Sequence, residues 1–188
     1  MKRNRAGQKG GGVLKTAIWS ASLLVAGCAG VLDWRSRRIP NWLTVPGLLA
    51  GLVVHGLTKG WRGGLFSLEG AGLALGLLLP LVLLQGLGGG DWKLMGALGA
   101  WLGPEQVMLV LLAAIFLSGL LAVVEMIRRK RVRETLGNLW ELVRGFFIYG
   151  LHPHPEINLE NPAAMSLPFG VAVAAATLLC FCAVHAGF

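Results

Sequence analysis

Two aspartates, Asp33 and Asp91, are the residues of this chain best suited to chemistry, because each lies at the edge of a long apolar stretch. An ionisable side chain near hydrocarbon is costly, and it marks a functional site by default. Two carboxyl groups that meet near a low-dielectric boundary tend to share one proton. The ionised group can then take a proton from water while the protonated group hydrogen-bonds a substrate carbonyl. The pair therefore predicts hydrolysis of the aspartic-protease type, which needs no metal and no cofactor.

The neighbours of both aspartates suggest how a substrate would reach them. Glycines before Asp91 have no Cβ and would let an extended peptide backbone approach the carboxyl group. A tryptophan follows each aspartate and is expected to line the entrance of the site. The predicted residues for substrate access and site support are Gly88, Gly89, Gly90, Trp92 and Lys93 around Asp91, and Trp34, Arg35, Pro40 and Asn41 after Asp33. A purely structural alternative for either aspartate is an ion pair with Arg35 or Lys93.

The composition indicates that a membrane holds these residues. The chain has 188 residues, of which 55% are hydrophobic and 14% are charged, and its mean hydropathy is +0.66. Crossing about 30 Å of hydrocarbon takes roughly 20 helical residues, and four of the apolar stretches reach that length. We therefore predict an all-α polytopic membrane protein with about six transmembrane helices, of which the fourth is short and needs to be enclosed by protein. The stretches are 13–32, 43–58, 65–87, 94–102, 106–127 and 166–187.

The remaining segments complete the predicted organisation. Residues 1–12 are basic and glycine-rich and are expected to form a flexible tail, whereas 13–188 form a single membrane-embedded domain. Within this domain, 128–165 is predicted to be a cytoplasmic loop that begins with a basic block. Residues 134–151 repeat apolar side chains at helical spacing, which predicts an amphipathic helix lying in the membrane interface.

Counting the spans places both aspartates on one side. If the second and third stretches both cross the membrane, the loops that hold Asp33 and Asp91 share a face. The basic residues beside them and in the 128–165 loop mark that face as cytoplasmic. The basic tail would then lie outside, against the same rule. A second interpretation is a lipoprotein signal cleaved before Cys28, but it would leave the basic block outside, so we favour an uncleaved first span.

The net charge of +8 is explained by this topology. Basic residues are not interleaved with aromatic ones in the way that stacks bases, so nucleic acid is not a predicted partner, whereas membrane lipid is. Cys28, Cys180 and Cys182 form no CxxC motif, and HExxH is absent. The sequence therefore predicts no metal site.

The two motifs together resemble the type IV prepilin peptidases, which are membrane aspartic proteases. The resemblance combines Asp33 with the following Ile39-Pro40-Asn41, and Gly88-Gly89-Gly90-Asp91 with the following Lys93-Leu94-Met95. The segment Leu167-Pro168-Phe169-Gly170 is similar to an element found late in these enzymes. The resemblance implies that Asp33 and Asp91 are catalytic and that the enzyme cleaves the short basic leader from prepilins. It also implies a multi-pass protein of the bacterial inner membrane with its aspartates on the cytoplasmic side.

Larger members of that family carry an amino-terminal segment with paired cysteines that accompanies N-methylation. This chain shows no such pattern, and it is similar to the short, peptidase-only enzymes associated with tight-adherence (Flp) pili. We therefore expect peptidase activity without methyltransferase activity. Two alternatives stay open: a related Gly-x-Gly-Asp protease with another substrate, and a proton-coupled transporter that uses the same aspartates. The oligomeric state is not predicted.

Overall fold

The computed structural model describes residues 3–84, 86–128, 137 and 169–186, and for 3–11 the backbone alone. The regular structure of these residues is helical and consists of α1 (Arg3–Ser36), α2 (Asn41–Leu83), α3 (Gly89–Arg128) and α4 (Phe169–Ala186). Each of the four helices is long and apolar enough to cross a membrane. The predicted all-α class is confirmed. The predicted interfacial helix at 134–151 lies outside the described residues, apart from Gly137.

Two of the helices contain a sharp break at a glycine. Gly60 in α2 has φ 63° and Gly103 in α3 has φ 77°, a region that favours glycine because a Cβ is disfavoured there. The breaks divide α2 into 41–59 and 61–83, and α3 into 89–102 and 104–128. Two pairs of the apolar stretches therefore lie on two bent helices, because a single left-handed glycine replaces each predicted loop. The described residues therefore form four helices of spanning length, two of them sharply broken, and the number of about six transmembrane segments stays a prediction.

The chain reverses direction at Gly60. The rings of His55 and Phe66 lie 5.4 Å apart, although eleven residues of straight helix would separate them by roughly 16 Å. The indole N–H groups of Trp92 and Trp101 donate to the carbonyl oxygens of Leu75 and Gly47, both at 2.8 Å. Segment 89–102 therefore runs parallel to 41–59 and antiparallel to 61–83, and Asp91 lies at the end of the bundle where α2 begins.

Segment 89–102 is enclosed by protein, as the sequence predicted for the short fourth stretch. All residues from Leu94 to Gly103 are buried. Two small residues permit the close approach, since a Cβ on Gly70 would overlap the carbonyl oxygen of Gly99. Ser67 adds a hydrogen bond of 2.7 Å to the carbonyl oxygen of Ala100. The packing holds the start of α3, and with it Asp91, in a fixed position.

Helices α1 and α4 pack against each other in opposite directions. Trp19 contacts Phe181 with ring centroids 6.3 Å apart, and a Cβ on Gly30 would lie 2.9 Å from the Cβ of Ala174. The end of α1 therefore meets the start of α4. Helix α1 begins at Arg3, so its backbone is helical through most of the 1–12 segment that we expected to be a flexible tail. Extending an existing helix costs less than nucleating one, which explains the early start.

Candidate active site

Asp33 lies in the last turn of α1 and is buried, with 6% of its surface exposed. The backbone N–H of Gly170, in the first turn of α4, donates to Oδ2 of Asp33 at 2.8 Å. The N–H of the next residue, Val171, also lies near this carboxyl group. A helix start presents N–H groups that have no partner inside the helix, so it suits a carboxylate. Helix α4 thus holds the carboxyl group of Asp33.

Asp91 lies in the first turn of α3 and is half-buried. Its Oδ1 is buried and has no hydrogen-bond partner among the described residues. A buried polar atom without a partner is costly, so a well-packed protein seldom keeps one without a functional reason. This atom is the kind of group that a substrate would complete.

The structure brings the two aspartates together at one end of the bundle. Their carboxyl groups are close enough to interact electrostatically. Ile39, in the link between α1 and α2, lies between the two motifs. A Cβ on Gly90 would be 3.1 Å from the Cβ of Ile39, and a Cβ on Gly170 would be 3.1 Å from its Cδ1. The end of α1 and the starts of α3 and α4 therefore meet around the side chain of Ile39.

The three glycines before Asp91 have different surroundings. The space beside Gly90 is filled by Ile39. A Cβ on Gly88 would lie 3.2 Å from Oδ2 of Asp91, whereas a Cβ on Gly89 would meet nothing within 4 Å. Open space for a peptide backbone is therefore found beside Gly89, and the glycine at 90 serves the packing of α3 against the link.

The two tryptophans that follow the aspartates point in different directions. Trp34 is 70% exposed, and together with Arg35 it lines a shallow apolar groove of about 440 Å³ between α1 and α4. Trp92 is half-buried, packs against the core and donates its indole N–H to Leu75. Trp34 thus lies on the surface beside this groove, whereas Trp92 anchors the start of α3 to α2.

Asn41 and Lys93 join two helices, and Pro40 precedes one of them. The Nζ of Lys93 donates to Oδ1 of Asn41 at 3.0 Å, which ties the start of α3 to the start of α2. Pro40 is the residue before α2, and its carbonyl oxygen accepts the N–H of Leu43 at 3.1 Å. Among the described residues no ion pair joins Arg35 or Lys93 to either aspartate. The simple ion-pair interpretation is therefore wrong for the described residues.

Some of the site was not predicted from the sequence. Arg37 interacts electrostatically with Asp33, and it ends α1 in a left-handed conformation (φ 53°) with its N–H bonded to the carbonyl oxygen of Asp33 at 2.9 Å. Gly170 belongs to the noted Leu167-Pro168-Phe169-Gly170 segment, but that pattern does not reveal that its backbone N–H is a donor. Leu167 and Pro168 lie outside the described residues.

The arrangement is suited to acid and base chemistry. Two interacting carboxyl groups, one of which has an uncompensated buried oxygen, can exchange protons with a water and a carbonyl group placed between them. No group of three or more His, Cys, Asp or Glu side chains that could hold a metal occurs within the described ranges.

Several known proteins are similar in sequence to part of this chain. A protein of Burkholderia pseudomallei strain 1026b named prepilin leader peptidase/N-methyltransferase is 38% identical over 100 residues, which cover 47% of this chain and 32% of that protein. The same figures hold for its namesake in strain K96243. A namesake in Escherichia coli K12 is 33% identical over 113 residues, covering 56% of this chain and 50% of its own length. No solved structure matches.

The matches span about a third to a half of the length of these relatives. The sequence model of the type IV leader peptidase family matches residues 20–123, a range that includes both aspartates. Together with the four helices of spanning length, this match identifies a multi-pass membrane protein. Because the family model covers more than half of the chain, the chain belongs to the type IV leader peptidase family.

Proposed function

We propose that the protein is a membrane-embedded aspartic endopeptidase that removes the short basic leader from prepilins at the cytoplasmic face of the inner membrane. One observation carries the proposal: Asp33 and Asp91, from different helices, interact at one end of the bundle. The substrate class is supported by the relatives, which are named prepilin leader peptidase/N-methyltransferase.

The proposed reaction uses one ionised and one protonated carboxyl group. Water attacks the scissile carbonyl carbon and gives a proton to the ionised aspartate, while the protonated aspartate gives its proton to the carbonyl oxygen. The tetrahedral diol then collapses. The first aspartate passes its proton to the leaving nitrogen as the C–N bond breaks, and one hydroxyl proton of the diol returns to the second aspartate. Both carboxyl groups end as they began, and the products are a new carboxyl terminus and a new amine.

The position of the pair suits a substrate that is cut where a basic leader meets an apolar helix. Asp33 and Asp91 lie at the ends of helices that can cross a membrane, so the scissile bond would lie near the membrane surface while the apolar helix stays in lipid. Arg35, Arg37, Arg38 and Lys93 lie in the same two motifs. An excess of basic residues at one end of the bundle favours the cytoplasmic side for that end.

Cleavage of a synthetic prepilin by the purified full chain in lipid nanodiscs tests the proposal. Asp33→Asn and Asp91→Asn should each lower the cleavage rate by about 10² to 10⁴-fold, since each removes a proton-transfer group and leaves the side-chain volume unchanged. Glu105→Gln is the matched control, because Glu105 is exposed and follows the break at Gly103, away from the pair. Near-normal cleavage by either Asp variant, with thermal stability unchanged, would remove that residue from the proposed pair.

Two finer parts of the proposal have separate tests. An acid and base mechanism predicts that EDTA and 1,10-phenanthroline leave the rate unchanged, whereas inhibition that Zn²⁺ reverses would indicate a metalloprotease. The association with Flp pili and the absence of methyltransferase activity also stay predictions. Co-expression with candidate prepilins, followed by mass spectrometry of the processed amino terminus, distinguishes cleavage alone from cleavage with an added methyl group.

A further inference from the structure

The carboxyl groups of Asp33 and Asp91 lie in different surroundings, although both lie at helix ends. Asp33 Oδ2 accepts a hydrogen bond from the N–H of Gly170 at 2.8 Å. The charged groups that act on it are Arg37, four residues along the chain, and Asp91 on α3. Burial disfavours the ionised form of both carboxyl groups, but at Asp33 the hydrogen bond from Gly170 and the nearby Arg37 cation offset part of that cost.

Asp91 lacks this support. Its Oδ1 is buried with no hydrogen-bond partner among the described residues, and the charged group that acts on it is Asp33. Although Asp91 lies in the first turn of α3, none of the described hydrogen bonds joins an N–H of that turn to its carboxyl group. A buried charge without a donor is far more costly than a buried neutral acid, so Asp91 is the better place for the shared proton.

We propose that the start of α4 decides the roles of the two aspartates, with Gly170 as the positioning residue. The N–H of Gly170 holds Asp33 as the ionised base that takes the proton from water, and Asp91 is the protonated acid that hydrogen-bonds the scissile carbonyl. The inference rests on the proposed peptidase mechanism and adds to it the role of each carboxyl group and the element that sets it.

The close approach of α4 to Asp33 explains why residue 170 is a glycine. A Cβ at this position would lie 3.0 Å from both the Cβ and Oδ2 of Asp33 and 3.1 Å from Cδ1 of Ile39. Contacts of that length require Asp33 or Ile39 to move, which would lengthen the hydrogen bond from the Gly170 N–H. The absence of a side chain and the presence of the N–H are therefore both needed at this position.

An exchange of the backbone amide for an ester isolates the hydrogen bond from these steric effects. The full chain is made by cell-free translation into nanodiscs with glycolic acid in place of Gly170, which removes the N–H and adds no side-chain atom. The acidic limb of the pH profile of kcat/KM should move up by about one pH unit, because a hydrogen bond to a charged group contributes about that much. At pH values above the acidic limb, kcat/KM should stay within about twofold of the value for the unmodified chain.

Phenyllactic acid in place of Phe169 is the matched control. It removes an N–H from the same helix turn that is not a described donor to Asp33, and it should leave the limb unchanged. Two results for the Gly170 ester would overturn the inference: a limb at the same pH as in the unmodified chain, or a loss of equal size at every pH, which indicates a structural role alone.

Infrared spectroscopy tests the two roles without any substrate. At neutral pH the unmodified chain should show the C=O stretch of a protonated carboxyl group, and this band should vanish in Asp91→Asn but persist in Asp33→Asn. The reverse pattern, or no such band in the unmodified chain, would overturn the inference. Because this measurement needs no cleavage, a chain that shows the expected bands but cleaves no prepilin would contradict the proposed substrate and leave the roles of the two carboxyl groups supported.

Discussion

At the residue scale, the glycines before Asp91 have separate tasks. Gly90 has no room for a side chain because Ile39 packs against it, so Gly90→Val would disturb the packing of α3 as well as any path for substrate. Gly89 is exposed and has open space around it. It therefore provides the cleaner test of the sequence prediction that glycine lets a substrate backbone approach the carboxyl group.

We predict that Gly89→Val lowers prepilin cleavage by roughly tenfold or more and leaves the thermal stability unchanged, because a branched side chain occupies the approach to Asp91 without a clash inside the protein. Gly90→Ala, as the comparison, should lower the thermal stability. Measurement of kcat/KM and of the melting temperature in detergent separates the two effects. Normal cleavage by Gly89→Val would show that the glycines serve packing alone.

The sequence singles out Asp33 and Asp91 as candidate site residues because acidic residues beside apolar stretches are conspicuous and costly. The role of Gly170 could not be predicted in the same way. Its contribution is a backbone N–H at a helix start, and every residue except proline has such a group. The contact of Ile39 with Gly90 and Gly170 was also missed, since it depends on how three helix ends meet, which periodicity along one helix does not report.

At the scale of the elements, pairs of glycines determine how closely the helices approach. Gly70 and Gly99 face each other so tightly that a Cβ on either would overlap backbone atoms of the other segment. Gly72, two residues along the same helix, is exposed, and a Cβ there would meet nothing within 4 Å. The two positions form a matched pair for testing whether this crossing holds segment 89–102, and therefore Asp91, in place.

We predict that Gly70→Ala destabilises the protein by about 1–3 kcal/mol, as overpacking does, and lowers cleavage because the start of α3 shifts. Gly72→Ala should change the stability by no more than about 1 kcal/mol, and in the stabilising direction, since alanine favours the helix. Unfolding of both variants in mixed micelles gives the comparison. Equal stability of the two variants would contradict the close crossing.

The apolar stretches predicted the positions of helices well, because hydrocarbon requires the backbone to satisfy its own hydrogen bonds. The stretches did not indicate whether two neighbouring helices are joined by a loop or by a bend within one longer helix. The gaps between the stretches at 59–64 and 103–105 were expected to separate two helices, but each contains one left-handed glycine, Gly60 or Gly103, that breaks a longer helix. The first apolar stretch begins one residue from the candidate span at Gly12, whereas the helix itself begins at Arg3, since hydropathy marks where lipid begins and not where a helix begins.

At the scale of the whole molecule, the site forms where the end of α1 meets the starts of α3 and α4. Neither helix that carries an aspartate holds a complete site, because Asp33 depends on α4 for its hydrogen bond and Asp91 comes from α3. The reversal at Gly60 is what returns the chain to this end before Asp91. The number of crossings between the two aspartates therefore decides whether the site can form at all.

The number of membrane crossings between the two aspartates also determines which exposed positions lie on the same side of the membrane. Ser36 is exposed beside the site, whereas Trp61 is 79% exposed beside the break at Gly60, at the opposite end of the bundle. In a variant that keeps Cys28 and has Cys180 and Cys182 replaced by Ala, Ser36→Cys should add a reaction with a membrane-impermeant maleimide only after the cytoplasmic face is opened, compared with the same variant without Ser36→Cys. Trp61→Cys should react in intact spheroplasts, because it lies on the outer face if the site is cytoplasmic.

The outcome at position 36 distinguishes the two interpretations of the first span. Labelling from outside would favour a lipoprotein signal cleaved before Cys28, and it would contradict a cytoplasmic peptidase site. Mass spectrometry of the intact protein gives an independent result, since an uncleaved span retains residues 1–27. Arg35, Arg37 and Arg38 directly follow Asp33, and moving them across the membrane with the site would be strongly unfavourable. We therefore expect position 36 to be cytoplasmic even with the basic residues at the amino terminus on the outer side.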